Sequence, residues 1–133
     1  MATKKPQAKA LADLRKWGLG LPGAHAKSPW PEHDDLAVKD KTFAFMSAAG
    51  QPASMSVKLP ASREAALQHA FAKPTGYGLG KSGWVTMTFD GHELPSLDQL
   101  KRWVLESYRA VAPRKLLAQL EEEQPWTRLG EPG

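Results

Sequence analysis

The densest run of residues able to do chemistry is Thr75-Gly76-Tyr77-Gly78-Leu79-Gly80-Lys81-Ser82, which ends in the Gly-Lys-Ser of a phosphate-binding P-loop. In that motif glycine N–H groups cradle phosphate oxygens, the lysine neutralises them and the hydroxyl reaches a magnesium ion. Here the first required glycine is Thr75, and the residues from Trp84 onward read as a strand. The helix N-terminus that would hold the phosphate is therefore missing. Residues 78–83 also spell G-x-G-x-x-G, but a dinucleotide fingerprint follows a strand and opens a helix, and here that order is reversed.

Two other constellations fail on spacing. His25, Glu32, His33, Asp34 and Asp35 concentrate potential metal ligands, yet they form neither the HExxH pattern nor a spaced oxygen-ligand loop, so a polar loop is the simpler reading. The chain has no cysteine, which excludes disulfides, thiolate metal sites and cysteine nucleophiles. No serine sits in a G-x-S-x-G elbow. A catalytic pocket would have to gather distant groups such as Lys58, His69 and Tyr108. The expectation is a binding protein with no catalytic residues, no metal and no cofactor.

What remains is a basic and aromatic set around the glycine-rich loop: Lys58, Lys73, Tyr77, Gly78, Lys81 and Trp84, joined by Arg109 and Arg114 from later in the chain. Lysine and arginine neutralise phosphates, glycine backbone lets a ligand approach closely, and exposed rings stack on bases. Against that stands a plainer assignment: Trp84, Trp103 and Tyr108 as core, and the lysines as a solvated surface. Two binding readings stay open. DNA as the partner predicts a basic stripe on one face, whereas a protein or small ligand held by the glycine-rich loop and its aromatic neighbours predicts a pocket with local, balanced charge.

The elements that must position these residues follow from periodicity. Leu11, Leu14 and Trp17 recur at helical spacing within residues 7–17, and Gly18 with the Leu21-Pro22-Gly23 turn ends the pattern. Residues 25–35, with two prolines and a polar run, read as a loop entering a hairpin. Segments 36–38 and 41–46 flank a turn centred on Asp40, and Met55, Val57 and Leu59 alternate after Gly50-Gln51-Pro52, giving three strands in a meander. Ser62 is placed to cap a short helix running to about Phe71, residues 73–83 read as loop, and 84–89 as a fourth strand. Pro95-Ser96 opens the longest helix, with Leu97, Leu100, Trp103, Val104, Tyr108 and Val111 on one face; a last helix spans 114–123.

Strands grouped in the middle with helices at the ends and one between predict an α+β fold, an antiparallel sheet of four or more strands backed by helices. Residues 1–123 read as one domain and 124–133 as a C-terminal tail holding Trp126. At 133 residues, 18 Lys and Arg against 14 Asp and Glu leave a net charge of +4, a mild excess that suits polyanions. The absence of an apolar run long enough for a signal or a span predicts a cytoplasmic protein without membrane contact, and a monomer is the default.

Three stretches give the chain a family likeness. They are Leu21-Pro22-Gly23-Ala24 leading through Trp30 to residues 36–44; Ser56-Val57-Lys58-Leu59-Pro60; and Tyr77 through Val85 followed by Glu106-Ser107-Tyr108-Arg109 and Ala112-Pro113. In order and spacing these resemble the MmcQ/YjbR family of small bacterial proteins, from about the first helix to Leu117. The resemblance implies a CyaY-like two-layer α/β sandwich. It also implies DNA binding with a double-wing arrangement, a description of the family that rests on fold comparison. The frataxin branch of that fold handles iron through acidic residues on its first helix; here that helix is basic, with Lys9, Arg15 and Lys16 against Asp13, which does not support iron. Family-motif positions that carry over as DNA contacts are Lys58, Tyr77, Lys81, Trp84 and Arg109.

Overall fold

The computed structural model describes residues 4–27, 33–48, 51–76 and 79–122. Along them run α1 (Lys4–Gly18), β1 (Ala24–Lys27), β2 (Asp35–Val38), β3 (Lys41–Met46), β4 (Ser54–Lys58), α2 (Arg63–Leu67), β5 (Ala72–Pro74), a 3-10 helix (Leu79–Ser82), β6 (Trp84–Thr88), α3 (Leu97–Val111) and α4 (Arg114–Glu122). The strands form one six-stranded sheet in the order β1-β2-β3-β4-β6-β5, every neighbouring pair antiparallel. The architecture is α+β, as the grouping of the predicted elements implied.

Alternation decides which face of the sheet is sealed. Met55 and Val57 of β4, paired with Met87 and Val85 of β6, turn inward and are completely buried or nearly so. Leu11 and Leu14 of α1 and Leu100, Trp103, Val104 and Tyr108 of α3 close over them in a single core. Each such side chain contributes about 1.5–3 kcal/mol of transfer free energy, so this layer carries most of the stability. The α3 start is fixed by Ser96, whose hydroxyl accepts the Gln99 N–H at 3.1 Å. Lys101 lies over the Trp17 ring and ties α1 to α3.

A bulge shapes the centre of the sheet. Leu36 pairs with Ala44 but Ala37 pairs with Thr42, so Phe43 is an extra residue, and both Phe43 and Ala44 are fully buried. The Tyr108 ring meets Phe43 edge-on at 5.3 Å, and its hydroxyl donates to the Pro22 carbonyl. Where the bulge ends the β3–β4 ladder, the buried Ser107 hydroxyl takes its place: it donates to Phe43 O and accepts the Lys58 N–H.

Several local expectations are corrected. Residues 25–27, expected as loop, belong to the strand β1; Ala-His-Ala-Lys lacks the branched side chains that mark strands, and pairing with β2 defines it instead. Part of the expected 73–83 loop is the edge strand β5 and the 3-10 helix. Ser62 stands at the N-cap of α2 as expected, but its hydroxyl makes no capping bond and donates to Glu106 on α3 instead, and the helix ends at Leu67, before Phe71. Between β2 and β3, Lys39 and Asp40 both adopt positive φ, the geometry of a tight two-residue hairpin turn. Residues 28–32, 77–78 and 123–133, and with them Trp30, Tyr77, Gly78 and the expected tail, lie outside the described residues.

Candidate functional site

The same alternation that buries Met55 and Val57 turns Ser54, Ser56 and Lys58 to the other side of the sheet. Register then assembles a surface around them: Ser56 opposite Phe45 and Thr86, Lys58 opposite Trp84, and Lys73 opposite Thr86. Among the described residues no helix packs on this face. Its hydroxyls bond laterally, Ser56 to Thr86 at 2.8 Å and Thr75 to Thr86 at 2.9 Å. Phe45 and Trp84 touch, their ring centroids 5.3 Å apart, and neither belongs to the main core.

Across β3–β6 the charged side chains on this face are lysines. The sequences of β3, β4, β5 and β6 contain no acidic residue; Lys58 and Lys73 point to this face, whereas Lys41, opposite Val38, points to the helical side. Trp84 is only 8% exposed, so it forms the floor beside Lys58 rather than an open stacking platform.

At the end of this face the glycine-rich segment meets the β4–α2 turn. Pro60, Arg63, Lys81, Ser82 and Gly83 line a cleft of about 530 Å³. Gly83 has φ +96 and turns the chain from the 3-10 helix into β6, a conformation that disfavours any side chain. Gly83 O accepts the Leu59 N–H at 2.9 Å, which clasps the two walls. At the opposite end of the strands, His33, Phe45, Ser47, Gln51, Ser54, Ser56 and Thr88 border a smaller groove of about 280 Å³.

Not all the residues singled out in the sequence meet. Lys58, Lys73 and Trp84 share the uncovered face, and Lys81 stands at its end. Arg109 is exposed in the last turn of α3, in the helical layer on the other side of the sheet, and Arg114 is exposed at the start of α4. The His/Asp cluster is used internally. Asp35 is buried and accepts the Met46 N–H while His33 approaches it at 3.1 Å; Asp34 faces Arg15, and His25 faces Asp40. Among the described residues no group of His, Asp or Glu is arranged to hold a metal ion.

Sequence reading missed Phe45, Arg63 and the hydroxyls of Ser56, Thr75 and Thr86. The strand hydroxyls were available from the alternation itself, since fixing Met55 and Val57 inward fixes Ser56 outward. Arg63 left no such mark, because its neighbours come from a segment far along the chain.

A family model, YjbR, matches residues 19–110. The chain belongs to the YjbR family. The YjbR match ends short of Leu117, where the likeness was first drawn; it takes in every strand, the cleft and Arg109, and leaves out Arg114. No curated protein matches the chain. No helix among the described residues is long and apolar enough to cross a membrane.

Proposed function

We propose that this YjbR-family protein is a cytoplasmic DNA-binding protein that lays the uncovered face of β3–β6 against the phosphate backbone. One observation carries the proposal: the strands of that face hold lysines and no carboxylate, and register brings Lys58 and Lys73 onto it together. The recognition is of charge and shape. Lysine ammonium groups act as point charges, and among the described residues no helix on this face is available to enter a major groove with bidentate base contacts. Binding without chemistry fits the positions of the candidate acid–base groups. The Tyr108 hydroxyl is engaged by Pro22 inside the core and the His69 ring is stacked on Phe71, while the Lys58 side chain lies across the sheet.

Two to four phosphate contacts give a logarithmic salt slope of roughly −2 to −4 on duplex DNA, about 0.9 per contact. Fluorescence anisotropy of a labelled duplex across a salt series measures it directly. Replacing Lys58 or Lys73 with Ala reduces the slope by about one each. A slope near zero, or one that neither substitution changes, rules the proposal out. A second reading, a small ligand held at the glycine-rich loop, is favoured by the cationic cleft between Arg63 and Lys81.

A further inference from the structure

We infer that the cleft between the β4–α2 turn and the 3-10 helix is a binding site for one phosphate group. The inference goes beyond DNA binding at the sheet, because the site's donors stand apart from the strand lysines. Three features of the cleft converge on it.

The first is Arg63. Its Nε is buried and has no hydrogen-bond acceptor among the described residues. An unmet buried donor costs about 1–3 kcal/mol, and more when charged, so a small shift of the guanidinium that brings Nε to an acceptor in the cleft is favoured. A guanidinium presents Nε and a terminal nitrogen as a fork that matches two oxygens of a phosphate.

The second is the fate of a neighbouring carboxylate. Glu106 on α3 could have neutralised Arg63, but its oxygens accept the N–H groups of Ala61 and Ser62 and the Ser62 hydroxyl, at 2.6–3.0 Å. It fastens the turn that carries Arg63 and leaves no ion pair with Arg63 itself. The third is Lys81 on the facing wall, exposed and in no ion pair among the described residues, with the Ser82 hydroxyl next to it. Two cations and a hydroxyl around about 530 Å³ fit a phosphate dianion and leave room for what it is attached to.

Titration of the full-length, nitrogen-15-labelled protein with sodium phosphate, against sodium chloride at equal ionic strength, tests the site by NMR. Saturable shifts are expected at the Ser82 and Gly83 amides and at the Arg63 Nε–H, and Arg63→Gln and Lys81→Gln each weaken binding at least tenfold. Lys81 is exposed, so Lys81→Gln keeps the test sharp even where Arg63→Gln perturbs folding. Shifts reproduced by chloride, or an affinity unchanged in well-folded Lys81→Gln, overturn the site. Two further arms identify the source of the phosphate. Duplex DNA that moves the same resonances and is displaced by free phosphate makes it a strand phosphate. AMP saturating the site while duplex DNA leaves it untouched makes it a small phosphorylated molecule, and DNA binding by the sheet then stands or falls on its own salt slope.

Discussion

The two faces of one sheet are built from the same strands and differ in almost everything else. On the covered face Leu36, Val38, Met55, Val57, Val85 and Met87 interlock with α1 and α3, with no charge among them. On the uncovered face the alternate positions carry Ser54, Ser56, Lys58, Lys73, Thr86 and Thr88, with Phe45 and Trp84 packed against each other. One face therefore bears the stability, which leaves the composition of the other free to serve recognition. The helical layer is a useful control, since its outer surface also carries Lys and Arg but mixes them with Asp and Glu, as in the Lys9–Asp13 pair.

Substitutions sharpen this contrast when ranked by expected effect on stability, measured by urea denaturation. Leu100→Ala, on the covered side, costs about 2–5 kcal/mol through lost burial and the cavity left behind. Ser107→Ala costs about 1–3 kcal/mol, because the Lys58 N–H and the Phe43 carbonyl both lose the hydroxyl that bridges them. Thr86→Ala, on the uncovered face, costs about 0.5–1.5 kcal/mol for its lateral hydrogen bonds. Lys58→Ala and Lys73→Ala change stability by no more than about 0.5 kcal/mol. A lysine substitution as costly as Leu100→Ala would break the division of labour between the faces.

The sequence was most legible where a single periodicity governed an element. Met55-Val57-Leu59 and Val85-Met87-Phe89 announced β4 and β6, and the Ser96 cap with the apolar face after it announced α3. It was least legible at the sheet's two edges. Ala-His-Ala-Lys and Ala-Lys-Pro have little intrinsic strand preference and owe their conformation to β2 and β6, which are distant information for a local pattern. The site divided in the same way. Lys58 and Lys73 were found by charge, but that they share a face while Arg109 stands in the helical layer depends on register. Arg63 became visible only when the β4–α2 turn and the 3-10 helix were brought together.

Lysine acetylation footprinting with and without duplex DNA, read by mass spectrometry, tests the assignment of the uncovered face most directly. DNA should protect Lys58 and Lys73 while Lys9, Lys16 and Lys115 in the helical layer stay reactive. Protection of Lys16 and Lys115 with Lys58 and Lys73 still labelled would place the DNA on the helices and contradict binding through the sheet.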